Sequence, residues 1–114
     1  YEVAEKAYEA ALDLAPDNSE AWLDLAWFLV EMLRPEEALL LLEEAREVVQ
    51  HTEVDYAFVA CLFATGRRQE GLSRLSEALA EDFGAHLLLF EWHPLLRSDA
   101  EVNALLQIHR PEVH

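Results

Sequence analysis

The sequence predicts an all-α fold, a stack of antiparallel helix pairs, from three observations. Apolar residues recur at spacings of three and four along nearly the whole chain, which is the period of a helix that buries one face. Only three glycines and four prolines occur among 114 residues, too few for the turns of an all-β chain. The apolar pattern also repeats itself along the chain. The length and the 53% hydrophobic content suit a single domain with an ordinary core.

The first two helices are separated by a clear turn signal. The first helix is expected to end at Pro16. Either Asp17 or Asn18 can accept hydrogen bonds from the free amides of a second helix that begins at residue 19 or 20.

The next helix boundaries are marked by single residues. Pro35 suits the first turn of a third helix because its missing N–H costs nothing there, and the two glutamates that follow favour the positive end of the helix dipole. Thr52 with Asp55 resembles another helix start, and Gly66 marks a break.

The C-terminal stretch departs from the preceding pattern. A short apolar helix is expected around Leu87 to Trp92, and Pro94 separates it from a last helix. Ser98 and Glu101 have the spacing of a capping box, so the last helix should start near Asp99. Stacked helix pairs leave an apolar face uncovered at each end, and residues 85–114 are predicted to cover it. The predicted capping residues are Leu87, Leu88, Phe90, Leu95, Leu96, Val102, Leu105 and Leu106.

Two independent sets of residues recur along the chain at one and the same interval. The first set is Ala4, Tyr8 and Ala11, which recurs as Ala38, Leu42 and Ala45. The second is Trp22, Leu25, Ala26 and Leu29, which recurs as Tyr56, Val59, Ala60 and Phe63. A third copy of the first set, Gly71, Leu75 and Ala78, follows at an interval shorter by one position, which predicts that one turn near Gly66 is shortened.

This pattern resembles the tetratricopeptide repeat family, over about residues 1 to 83. The resemblance implies one complete repeat at 19–50, a second at 53–83, and the second helix of a truncated repeat at 1–16. Ala26 and Ala60 stand where the family commonly has glycine, and Gln50 where it has proline. The implied fold is a right-handed superhelical stack of antiparallel helix pairs, an α-solenoid, with C-terminal capping helices.

Small residues in these repeats are expected at helix crossings. Only alanine or glycine lets two backbones approach closely there, while larger side chains fill the gaps beside them. The predicted repeat-packing residues are Ala4, Tyr8, Ala11, Trp22, Ala26, Ala38, Ala45, Tyr56, Ala60, Gly71 and Ala78.

The resemblance also implies a binding surface, because the first helix of each repeat lines a concave groove in this family. The implied groove residues are Glu20, Leu23, Trp27, Val30, Glu31, Val54, Ala57, Cys61, Ala64 and Thr65. Such a groove is apolar with acidic edges, and suits an apolar peptide or helix with basic flanks, anchored on Trp27. Alternatively, Leu23 and Trp27 belong to the core, covered by a missing front helix or by the terminal helix, or they join two chains of a homo-oligomer.

The strongly acidic charge limits the partners. The net charge is −15 with a single lysine, so nucleic acid and anionic membranes should be repelled. The acidity has three interpretations: a solvated surface without specific purpose, adaptation to high salt, or a basic partner. No apolar run is long enough to span a bilayer, and the missing initiator methionine suggests a piece of a longer protein.

Catalytic and metal chemistry have little support in the sequence. Five histidines invite a metal site, but no HExxH or paired CxxC motif accompanies them. The lone Cys61 cannot form an internal disulfide, which favours a reduced cytoplasmic setting. Because it has no basic neighbour in sequence, its thiol is expected to be inert. We therefore expect no enzyme activity, no cofactor and no metal.

The predicted function is a non-catalytic protein-protein interaction module. Two alternatives remain at this point: a small chaperone that shields a hydrophobic segment of a client protein, and a purely structural segment of a longer solenoid.

Overall fold

A computed structural model of the chain describes residues 2–111. Tyr1 and the last three residues of the predicted capping region, including His114, lie outside the described residues. Within that range the chain forms seven α-helices and two short 3₁₀ helices, without a β-strand, which confirms the predicted all-α class. The α-helices are α1 (Glu2–Leu14), α2 (Ser19–Glu31), α3 (Pro35–Val48), α4 (Thr52–Ala64), α5 (Arg68–Glu81), α6 (Leu87–Trp92) and α7 (Ala100–His109). The 3₁₀ helices are Phe83–His86 and Pro94–Ser98.

Side chains cap three of the helices at their first amides. The Asn18 side chain accepts a hydrogen bond from the Glu20 amide, 3.0 Å away, at the start of α2. His51 caps α4 through its Nδ1 atom, a cap that the sequence did not indicate. At α7 the cap is Asp99, whereas Ser98 belongs to the preceding 3₁₀ helix. The carboxylate, and not the predicted capping-box serine, therefore satisfies the first amides of α7.

The helices pack in two layers. Each helix from α1 to α5 packs against the next one in sequence. α4 also contacts α2 and α6, so these three helices lie side by side in one layer, while α5 and α7 lie together in the other. The handedness of the predicted superhelix stays a prediction.

The shorter turn lies before α4, so the expectation of a shortened turn near Gly66 is wrong. The interval from the start of α2 to the start of α4 equals the interval from the start of α3 to the start of α5. The turns at 32–34 and 65–67 have equal length, whereas the link 49–51 is shorter by one position than the link 15–18. The physical reason is that the two equal turns share one geometry, with φ of 60° at Leu33 and 81° at Gly66. In consequence the two residues that correspond in the repeated pattern have different places in their helices: Trp22 is the fourth residue of α2, whereas Tyr56 is the fifth residue of α4.

Replacing Leu33 with glycine should stabilise the protein by about 0.5–1 kcal/mol, because an L residue is strained at positive φ and glycine is not. The Leu33 side chain is 87% exposed, so its removal sacrifices little buried area. Urea unfolding is the measurement. The reciprocal change, Gly66→Ala, should destabilise by about 1 kcal/mol. Equal stability of both variants and the wild type would contradict the assigned turn geometry.

The core has two parts that meet at α4. One cluster joins α2, α3 and α4, and the other joins α4 to α5, α6 and α7. All residues from Tyr56 to Leu62 are buried, because neighbours pack on both sides of α4. At the start of the chain, Ala4 and Ala11 are exposed. α1 packs on α2, and no other described helix covers its opposite face.

Asp99 links the cap to α5. Its carboxylate accepts a hydrogen bond from Arg68, at 2.7 Å, and bonds from the amides of Glu101 and Val102. The Arg68 hydrogen bond is the largest cause that lowers the Asp99 pKa from 3.8 to about 2. A lowered folded-state pKa means that the ionised form stabilises the fold above the unfolded-state pKa, and that this stabilisation is lost as the pH falls through the folded-state pKa.

The variant Asp99→Ala should therefore lose about 1 kcal/mol of stability at neutral pH, from the missing helix cap. Its deficit relative to the wild type should shrink as the pH falls from 3.8 towards about 2. Urea unfolding at several pH values measures this. Asp17→Ala is the matched control, because Asp17 is exposed and Asn18 is the cap that α2 uses. A deficit that does not change with pH would show that ionisation of Asp99 is unimportant.

Candidate functional site

Two helices of the same layer present matching residues to a groove. On α2 these are Leu23, Asp24 and Trp27, and on α6 they are Leu88, Glu91 and Trp92. The space between them, here called the α2–α6 groove, has a volume of about 460 Å³. In each helix the leucine and the tryptophan are four residues apart, so they lie on one helix face.

The two tryptophans form the wall where the helices meet. The rings of Trp27 and Trp92 are 5.1 Å apart between centroids and inclined at 78°, an edge-to-face pair. Trp27 stays 38% exposed beside this contact. The terminal region therefore covers part of Trp27, as one of the alternatives supposed, and leaves the rest of the ring accessible.

The other predicted groove residues lie in two different environments. Val54, Ala57 and Cys61 are buried in the core cluster between α2, α3 and α4. They are inaccessible to a partner in this arrangement. The remaining predicted residues lie on or near the surface: Glu20, Glu31 and Ala64 are exposed, while Val30 and Thr65 are half-buried.

Burial also decides the chemistry of Cys61. Desolvation raises the pKa of its thiol to about 12, so the thiol is protonated at neutral pH. Because the thiolate is the reactive form, this cysteine is a packing residue in the folded chain.

The predicted repeat-packing residues other than those of α1 are buried. They are Trp22, Ala26, Ala38, Ala45, Tyr56, Ala60, Gly71 and Ala78. The Trp22 indole N–H donates to the Pro16 carbonyl at 2.7 Å, and the Tyr56 hydroxyl donates to the Asp82 carbonyl at 2.7 Å. Tyr8 is half-buried, with its ring 5.3 Å from that of Phe28. A Cβ on Gly71 would lie 3.0 Å from the Phe63 ring, so this crossing has room only for glycine unless the ring shifts.

The sequence predicts Leu88 as a capping residue and Trp92 as the end of a short apolar helix, and it does not indicate that α6 lines a groove with α2. The spacing of three and four positions from Leu88 to Glu91 and Trp92 was a usable signal for one helix face. The sequence does not show that α6 lies near α2, because this proximity depends on packing between segments from opposite halves of the chain.

The α2–α6 groove carries two carboxylates that pair with no cation among the described residues. Within residues 2–111, no arginine, lysine or histidine nitrogen lies within 4.0 Å of the Asp24 or Glu91 carboxylate. Within the described part of the chain, five arginines pair with carboxylates at other places: Arg34, Arg46, Arg67, Arg68 and Arg74. The groove is therefore both apolar and negatively charged.

Comparison with known proteins identifies the family. A family model described as tetratricopeptide repeat matches residues 1–57, half of the 114 residues. The chain belongs to the tetratricopeptide repeat family. Neither the curated proteins nor the solved structures compared with the chain gave a match.

Tetratricopeptide repeats generally mediate protein-protein interactions and are generally non-catalytic. The family membership therefore confirms the resemblance drawn from the repeated residues, and it establishes the general class of function. The particular groove and partner belong to the proposal below.

Within the described residues, this repeat protein has neither a cluster of metal-binding side chains nor a membrane-spanning helix. Over residues 2–111, no group of three or more histidine, cysteine, aspartate or glutamate side chains is placed to hold a metal ion. His86, one of the histidines considered for a metal, shares a hydrogen bond of 2.7 Å with the Phe83 carbonyl. None of the described helices combines the length and the apolar character needed to cross a bilayer.

Proposed function

We propose that this chain is a non-catalytic protein-interaction module that docks an apolar peptide or helix of its partner in the α2–α6 groove. The observation that carries the proposal is the convergence of two leucine and tryptophan pairs, from separate helices, on one open groove. Val54, Ala57 and Cys61 contribute to this site indirectly, because they pack α4 against α2, the helix that carries Leu23 and Trp27.

The side chains suit an anchor interaction. Tryptophan is enriched among residues that dominate binding energy, because a large rigid ring buries much area at a small entropic cost. Trp27 is partly exposed and is held in place by Trp92, so its orientation is set before a partner arrives. A partner side chain that enters the groove would contact both rings and both leucines.

Charge favours a partner with basic flanks. Asp24 and Glu91 line the groove, Glu20 and Glu31 are exposed near the ends of α2, and the whole chain carries a net charge of −15. Complementary charge speeds association and rejects acidic partners. The same field disfavours nucleic acid and acidic tail peptides as occupants.

The test compares two pairs of apolar deletions. Leu23→Ala with Trp27→Ala alters the α2–α6 groove, whereas Leu40→Ala with Val48→Ala removes exposed side chains from α3, a helix that does not line this groove. Each double variant and the wild type would be checked for helicity by circular dichroism and used to capture proteins from a lysate of the source cell. Partners identified by mass spectrometry should be lost with the groove variant alone.

Other outcomes assign the surface differently. Loss of the same proteins from both variants, or from neither, would refute docking in the groove. Retention of many unfolded clients, instead of one folded protein, would favour the chaperone alternative. If the molecular mass in solution falls to half in the groove variant, the occupant of the groove is a second copy of the chain. If the wild type captures no protein, a structural role is favoured.

A further inference from the structure

The α2–α6 groove combines two features that together suit a cationic side chain. The rings of Trp27 and Trp92 stand nearly perpendicular, as an edge-to-face pair, and both line the groove. Asp24 and Glu91 lie beside these rings, one from each helix. An aromatic face attracts a cation through its quadrupole, and nearby carboxylates add direct charge attraction.

The chain uses the same combination for its own arginines. The Arg46 guanidinium lies 4.6 Å from the centre of the Phe58 ring and donates a hydrogen bond of 3.1 Å to Asp55. Arg68 is the second case, 5.7 Å from the centre of the Phe63 ring and 2.7 Å from an Asp99 oxygen. In both places an arginine lies between an aromatic ring and a carboxylate.

In the α2–α6 groove the rings and the carboxylates are present, but no described arginine occupies the position between them. Arg46 and Arg68 are committed to the sites just described. Arg97 lies 5.1 Å from the centre of the Phe90 ring. A guanidinium placed in the groove would therefore complete there the arrangement that these arginines make elsewhere in the chain.

We infer that the docked partner inserts an arginine side chain into the α2–α6 groove, with its guanidinium against the tryptophan rings and beside Asp24 and Glu91. This inference rests on the proposed docking function and names the group that the groove recognises. The aliphatic stem of the arginine packs on Leu23 and Leu88, so the apolar and the charged parts of the groove serve one side chain. Arginine suits this site better than lysine because its planar guanidinium stacks on rings and is more weakly hydrated.

The experiment uses a random peptide library displayed against the whole chain. Peptides retained by the wild type should be enriched in arginine within apolar segments. A selected peptide should lose affinity about tenfold when its arginine is replaced by citrulline, the neutral isostere, because the cation-π attraction and the carboxylate pairing both disappear. Replacement of the arginine by lysine should weaken binding by a smaller factor.

Matched charge variants of the protein separate the groove from the general field. Asp24→Asn with Glu91→Gln should weaken the selected peptide about tenfold and abolish its preference for arginine over citrulline. Glu43→Gln with Glu47→Gln removes the same charge from exposed positions on α3 and should leave the affinity within about twofold of the wild type. Equal losses in both variants would reduce the effect to net charge and overturn the inference.

Nuclear magnetic resonance locates the bound peptide independently. The indole N–H signals of Trp27 and Trp92 should shift when the arginine peptide is added. Trp22 is buried and donates its indole N–H to Pro16, so its signal is the internal reference and should stay in place.

The experiments distinguish failure of the arginine assignment from failure of the docking function. If the peptides depend on Leu23 and Trp27 but bind equally with citrulline or with lysine, the assignment to arginine is overturned while docking stands. If the wild type retains no peptide, or retains peptides that are indifferent to Leu23→Ala with Trp27→Ala, both the docking function and this inference are overturned.

Discussion

The variant Leu89→Ala should lose about 2–5 kcal/mol of unfolding free energy, the largest loss that we expect from a single substitution in the capping region. Leu89 is 0% exposed and belongs to the core cluster that joins α4 and α5 to α6 and α7. Its truncation removes buried apolar area and leaves a cavity that the surrounding helices fill only in part. Urea unfolding, followed by circular dichroism, gives the free energy.

The control for this variant lies on the same short helix. Leu87 is 55% exposed, so Leu87→Ala should change stability by less than about 0.5 kcal/mol. If both variants unfold like the wild type in one transition, the cap does not contribute to the cooperative core. A separate early transition in Leu89→Ala alone would instead show that the cap unfolds before the helix pairs.

The substitutions Ala38→Leu and Ala45→Leu should each destabilise the protein by about 1–3 kcal/mol through overpacking. Both alanines are 0% exposed, and they lie in the cluster where α3 meets α2 and α4. The added atoms have no space, so the helices must separate or the side chain must leave its preferred rotamer. Thermal and urea unfolding measure the loss.

The repeat itself supplies the control. Ala4 and Ala11 occupy the positions that correspond to Ala38 and Ala45 one period earlier, but both are exposed on α1. Ala4→Leu and Ala11→Leu should therefore stay within about 0.5 kcal/mol of the wild type. Similar losses at exposed and buried positions would mean that the substitution acts through helix propensity, and not through crossing distance.

Local chemistry explains the features that sequence analysis predicted well. Asn18 and Pro35 mark helix starts because capping and the missing proline N–H act within one turn of the backbone. The recurrence of apolar residues at spacings of three and four positions indicates the buried face of a helix, because residues at these spacings are neighbours on adjacent turns. The predicted packing positions on α2 to α5 are buried. Those on α1 are exposed or half-buried, because burial needs a second neighbouring helix and α1 packs only on α2 among the described helices.

Packing over long sequence distances explains the features that were missed. Counting residues pointed to the turn near Gly66 because the interval from Trp22 to Tyr56 spans the link before α4 and is still as long as the interval from Ala4 to Ala38. The shortening of that link is hidden because Tyr56 stands one position further into its helix than Trp22. Val54, Ala57 and Cys61 were assigned to the groove by their place on α4, yet neighbouring helices cover them. Their burial depends on how α2 and α3 pack against α4, which no local pattern encodes.

The helices, the repeat and the family can be read from the order of residues alone, because backbone hydrogen bonding, capping and the helical period act between residues close in the chain. Which apolar residues are accessible depends on the packing of distant segments. It brought Trp92 against Trp27 and left Asp24 and Glu91 without a cation among the described residues. The physical reason is that burial and ion pairing depend on which helices become neighbours, a consequence of fitting all the side chains together at close-packed density.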